Sequence, residues 1–134
     1  MTVITLYFAS LAIFLLIDFL ALGIVVKPIF DRQIGHLLLE NFRLLPAFFF
    51  YAFFVGVMIW FVSFPATTQD KGLLWVAFNA ALLGAAAFGT YEFTSLAIMK
   101  DWTWKMVIVD MIWGTTLTAL SAMGGVWVTR LLLT

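Results

Sequence analysis

The sequence predicts an all-α integral membrane protein: a four-helix bundle with an amphipathic interfacial helix between spans 1 and 2. Three observations predict it. Of 134 residues, 65% are hydrophobic and 10% charged, against about a quarter charged in an ordinary soluble domain. A chain this short leaves much of its surface exposed, so lipid rather than water must solvate the outside. Four long apolar runs each reach about the 20 residues needed to cross hydrocarbon. Finally, none of the runs alternates apolar and polar residues as a barrel strand does. In hydrocarbon only helices and closed barrels satisfy their own backbone groups.

The first run covers about residues 3–26 and is interrupted by Asp18. It lacks a basic start and a small-residue cleavage site, so it reads as a retained span rather than a secretory leader. The second, about 47–64, lies between Pro46 and Pro65, which are expected to mark its start and stop. The third, about 73–99, carries Asn79 and Glu92, and the fourth, about 104–128, carries Asp110. Between the first two spans, residues 28–45 place Phe30, Ile34, Leu37, Leu38 and Leu45 on one helical face. Asp31, Arg32, Glu40 and Arg43 occupy much of the rest, as in a helix lying at the membrane surface. That helix reads either as a plain connection or as a ligand gate. No repeat, linker or low-complexity tail divides the chain, so one transmembrane domain over residues 1–134 is expected.

Composition excludes several functions. The net charge is zero, so there is no basic excess for nucleic acid. Absence of cysteine removes disulfides, thiolate catalysis and thiolate metal sites. There is no nucleophile elbow, HExxH motif or phosphate loop. The single His and the acids lack familiar metal-ligand spacing, so no metal is assigned and no cofactor is named.

Asp18, Glu92 and Asp110 carry the functional information. A carboxylate within a span costs about 2.5–3.5 kcal/mol on insertion scales and normally faces the bundle interior. Asp18 precedes Lys27, Glu92 precedes Lys100 and Asp110 follows Lys105. At 1.5 Å per residue, these offsets place all three acids roughly 8–14 Å below one membrane face. On the fourth span Asp110, Gly114, Thr118, Ser121 and Gly125 form a stripe of small or polar residues; on the third, Ala81, Ala85, Gly89, Glu92 and Ser95 form another. Such residues let membrane helices approach closely. Asn79, Ala86, Thr90 and Thr94 mark the other side of the third span; polar on two faces, it is expected to be the central helix. Tyr7, Leu11, Phe14 and Asp18 align on the first. The phenylalanines at positions 48, 49, 50, 53, 54 and 61 make the second span the expected lipid-facing wall.

No Lys or Arg lies inside the membrane to neutralise these acids, Lys105 standing at the very start of the fourth run. Either some acids are protonated or a cationic group arrives from elsewhere, His36, Arg32 and Arg43 being the nearest candidates in the chain. The alternative is that each acid makes a hydrogen bond locking one helix to another. Lys and Arg number three in the loop after span 1, two in the Lys100–Lys105 loop, and two, Lys71 and Arg130, on the other side. This bias predicts cytoplasmic loops on the richer side and extracytoplasmic termini.

Four stretches carry a resemblance: Asp18-Phe-Leu-Ala-Leu-Gly23, Phe30-Asp-Arg-Gln-Ile-Gly-His-Leu37, Gly89-Thr-Tyr-Glu-Phe-Thr-Ser-Leu96 and Asp110-Met-Ile-Trp-Gly-Thr115. In this order they resemble the bacterial membrane family catalogued as domain of unknown function 2177, over nearly the whole chain. The resemblance implies a bacterial inner-membrane protein without an established activity. It also implies genes lying beside lipid-modifying enzymes such as cyclopropane fatty acid synthases. Its motifs include the three acids with His36, Tyr91, Trp102 and Trp113. The chain departs from the family in having Glu92 for Asp, Ser95 for Asn and Ala21 for Trp. The expected ligand-binding residues are therefore Asp18, His36, Tyr91, Glu92, Asp110 and Trp113.

Three function classes follow. The first is a protein that binds or carries a small molecule or lipid headgroup in an acidic intramembrane pocket. The others are a non-catalytic subunit of a larger membrane complex and a lipid-modifying enzyme using Glu92 or Asp110 as acid or base. The first is preferred, with membrane lipids, and in the second case other membrane subunits, as partners.

Overall fold

A computed structural model describes residues 1–21, 23–24, 27–37 and 43–133. The described residues form α1 (Thr2–Ala21), α2 (Lys27–Ile34), α3 (Leu44–Met58), α4 (Phe64–Thr68), α5 (Leu73–Ile98) and α6 (Trp104–Leu133). They contain no strand. Four helical segments are long and apolar enough to cross a membrane: Thr2–Ala21, Leu45–Thr68, Leu73–Ile98 and Trp104–Leu133. The all-α membrane bundle read from the apolar runs is the fold.

Helix ends depart from expectation where proline and glycine act locally. Pro46 sits in the first turn of α3, where its missing N–H would have had no partner. Pro65 does not stop the second span. The helix widens into a π turn over Ile59–Ser63, in which the Phe64 N–H reaches the Ile59 carbonyl, and continues as α4. A proline removes the bond to the carbonyl four residues back and crowds it; a widened turn relieves both. The surface helix is shorter than 28–45. α2 tightens at Gly35–Leu37, glycine being the poorest helix former after proline. Arg43 is extended, and Leu45 already belongs to α3. Leu38 and Glu40, assigned to that helix from the sequence, lie outside the described residues, as do Val25 and Val26 at the expected end of span 1.

The central helix is α6, not the third span. It buries eleven residues, Asp110, Gly114, Thr118, Ser121 and Gly125 among them, whereas α5 buries five. Polar residues on the outer face of α5 mislead because they satisfy themselves. Thr90 Oγ1 donates to the Ala86 carbonyl at 2.7 Å and Asn79 Nδ2 to the Trp75 carbonyl at 2.9 Å. Bonded back to their own helix, such groups need no neighbour. The buried line of α5 is Val76, Ala80, Gly84, Glu92 and Ser95, so the upper half of the expected stripe is displaced: Ala81, Ala85 and Gly89 are half-buried.

Leu6, Ser10, Phe14 and Asp18 form the buried line of α1, with Tyr7 and Leu11 packed beside it. Residues 48, 49, 50, 53 and 61 expose their rings as the lipid-facing wall, but Phe54 turns inward to the core beside Phe14. At the far end, Arg130 Nη2 donates to the carbonyls of Ala66 and Lys71, tying the end of α6 to the turn after α4. At the opposite end, Ile34, Trp102, Met106 and Val107 form a smaller core against Phe30, Leu96 and Met111.

Candidate intramembrane acid site

Close packing sets the register. An added Cβ on Gly84 would collide with Thr118, one on Gly114 with the Phe88 ring, and one on Gly125 with Ser10. Backbones therefore meet where side chains are smallest. Continuing the antiparallel register of α5 and α6 by two turns brings Glu92 beside Asp110. Between α1 and α6 the Ser10–Gly125 contact, continued by two turns, sets Asp18 level with Leu117, and the long Trp113 side chain reaches it from the next turn of α6.

Glu92 is fully buried, and Asp18 and Asp110 are 7% and 8% exposed. The Trp102 indole donates from Nε1 to Glu92 Oε1 at 2.9 Å. Glu92 Oε2 has no N–H or hydroxyl donor among the described residues. Its neighbour is the Asp110 carboxyl, close enough for the two acids to act on each other. Trp113 Nε1 donates to Asp18 Oδ1 at 3.3 Å, and Asp18 is close enough for its charge to act on Asp110. The Tyr51 hydroxyl approaches Asp18 from α3. Among the described residues no ion pair reaches any of the three acids.

Trp102 closes the surface end of this cluster. It lies in the turn between α5 and α6, 7% exposed, with Phe30 and Tyr91 edge-on to its ring at 5.6 and 5.5 Å. The Thr103 hydroxyl accepts the Met106 N–H at 3.3 Å, anchoring the first turn of α6.

The structure thus brings Asp18, Glu92, Asp110 and Trp113 together, with Tyr91 at the edge, its side chain largely exposed. His36 is elsewhere. It is exposed and its Nε2 lies 2.9 Å from Asp101 Oδ2, because packing Phe30 and Ile34 on Trp102 turns the following residues outward. Arg32 and Arg43 are exposed too. Trp102 and Tyr51 complete the cluster without standing among the expected ligand residues. The signal for Tyr51 was one hydroxyl within a run of phenylalanines. For Trp102 it was an indole ten residues after an intramembrane acid.

The family model described as "Predicted membrane protein (DUF2177)" matches residues 3–127. The chain belongs to this family. Every member of the acid cluster lies inside the stretch matched to DUF2177. No curated protein and no solved structure matches the chain.

Proposed function

We propose that this DUF2177 protein binds, and in doing so can carry, a small molecule or lipid headgroup whose cationic group, or a proton, is held by Asp18, Glu92 and Asp110. One observation supports this reading above others. Three acids are buried at one level of a membrane bundle with no cationic partner among the described residues, and one oxygen of Glu92 has no donor. Intramembrane carboxylates are costly and commonly mark substrate or proton routes. A ligand ammonium would supply the missing charge and the missing N–H donor together. The indoles of Trp102 and Trp113 supply donors for Glu92 Oε1 and Asp18 Oδ1 and apolar faces for the ligand's carbon skeleton.

The positive-inside bias supports the acid end facing the cytoplasm and extracytoplasmic termini in a bacterial inner membrane. Membrane lipids are then the nearest source of ligand. The test is native mass spectrometry of protein extracted in mild detergent. A retained cationic lipid or small molecule is expected. A protein that emerges bare, or only with stoichiometric partner proteins, contradicts the reading.

A further inference from the structure

Below the acid site, α6 continues a polar line through the bundle: Gly114, Thr118, Ser121, Gly125 and Thr129 are all buried. At 1.5 Å per residue, about 28 Å separates Asp110 from Thr129, close to the ~30 Å thickness of bilayer hydrocarbon. Thr118 is satisfied in the ordinary way, its Oγ1 donating to the Gly114 carbonyl at 2.8 Å. Four other hydroxyls along the bundle are not. Ser10, Ser63 and Ser121 are 0% exposed and Thr129 is 2% exposed, and none of their oxygens has a hydrogen-bond partner among the described residues. Ser10 lies directly against Gly125. Ser63 is in the π turn that packs on α6, and Thr129 neighbours Arg130, which bonds the carbonyls of Ala66 and Lys71.

Orphan hydroxyls in an apolar setting are costly, because they give up hydrogen bonds to water and gain none in return. Spanning helices ordinarily avoid this by bonding serine or threonine back to the preceding turn. Buried orphans are what water molecules satisfy in protein interiors. Tight packing explains why the residues are small. It does not explain why four of them carry unsatisfied hydroxyls, when alanine would pack as closely.

We infer that these hydroxyls form a hydrated proton path from the α4 end of the bundle to the Glu92–Asp110 pair, closed at Gly114 by the Phe88 ring. Each hydroxyl or water accepts a proton from one neighbour and passes its own to the next. A proton entering beside Thr129 thus reaches a carboxylate, every hydroxyl staying neutral but with its O–H direction reversed until it turns back for the next proton. Among the described residues the titratable groups near the path are Asp18, Tyr51, Glu92 and Asp110 at one end and Lys71 and Arg130 at the other, with Tyr7 beside its middle, the phenol donating to the Ala52 carbonyl at 2.9 Å. Between them Phe88 lies over Gly114, the kind of apolar constriction that gates by dewetting. The inference deepens the proposed function, resting on the acids holding a proton, but hydration of the line can be measured without the acids.

The chain has no cysteine, so single-cysteine variants need no background changes. Ser121→Cys and Ser10→Cys, with Ala122→Cys as an equally buried control off the line, are reacted in vesicles with a small cationic methanethiosulfonate from the α4 side. Both serine variants should react at least about tenfold faster than the control, since the reagent attacks a hydrated thiolate. Equal rates in a variant that melts like wild type overturn the path; should one serine variant fail to fold, the other decides.

The second arm uses vesicles loaded with a pH-sensitive dye under an imposed potential. Phe88→Ala should raise proton flux about tenfold over wild type, and adding Thr129→Val should return it to the protein-free level. Flux unchanged by Phe88→Ala, or untouched by Thr129→Val, removes the path while leaving ligand retention at the acids as a separate result.

Discussion

Replacing Gly84 with alanine drives a methyl into α6 where neither helix can yield easily. The new Cβ would lie 2.5 Å from Thr118 Oγ1, 2.7 Å from Thr118 Cβ and 2.9 Å from the Gly114 carbonyl oxygen. Rotating Thr118 relieves only the first contact and breaks its 2.8 Å bond to Gly114. Carbon contacts relax at about 3.5–4.0 Å, so α5 and α6 must part by about 1 Å. Overpacking of this kind costs up to about 3 kcal/mol, and the better helix propensity of alanine returns at most about 1. A net loss of about 2 kcal/mol lowers the folded-to-unfolded ratio about 30-fold. Gly89→Ala is the control on the same helix. Its Cβ would meet the flexible end of Met111 at 3.4 and 3.5 Å and the Phe93 ring at an ordinary 3.9 Å, so it should be neutral or stabilising by up to about 1 kcal/mol. SDS titration of the purified protein in mixed micelles, followed by tryptophan fluorescence, measures both. The packing argument fails if Gly84→Ala unfolds no earlier than wild type, or if Gly89→Ala loses as much.

The same titration ranks the two indole donors. Trp102→Phe keeps an aromatic ring between Phe30 and Tyr91 but leaves Glu92 with no N–H donor, and should cost about 1–3 kcal/mol; Trp113→Phe loses a longer bond and should cost less than Trp102→Phe. Arg130→Met removes the donor to Ala66 and Lys71 and should cost about 1 kcal/mol, with faster proteolysis at the turn after α4 as a second readout. Single cysteines at Gln69 and Lys100, both exposed, should label from opposite faces of intact cells, Gln69 from outside. Labelling of Gln69 from the cytoplasm alone reverses the orientation, and labelling of both from one face removes the even-span topology.

The spans were legible because hydrocarbon demands long apolar runs whatever the tertiary structure, and so was the buried stripe of α6. Burial of Asp18, Glu92 and Asp110 followed from the cost of a carboxylate in lipid. What escaped depended on how elements meet. Thr90 and Thr94 suggest a polar interface until Thr90 is found bonded within its own helix. Pro65 reads as a stop because the neighbouring π turn has no sequence signature. His36 lies in a motif with the right residues nearby, yet the packing of Phe30 and Ile34 on Trp102 turns it away from the acids. Trp102 reaches Glu92 only because the turn after α5 folds back over the bundle, and no periodicity reports a turn.

Asp110→Asn tests the central claim most directly. The amide keeps the shape of the side chain and its hydrogen-bonding capacity while removing the charge, so it separates ligand binding from helix locking. If the acids hold a cationic group or proton, native mass spectrometry should show the retained ligand lost in Asp110→Asn while detergent melting stays near wild type. Asp110→Leu, which strips the partner groups of hydrogen bonds, should lower stability as well. Full ligand retention in Asp110→Asn, with only Asp110→Leu impaired, would contradict a charge-dependent site and leave the three acids as interhelical hydrogen bonds.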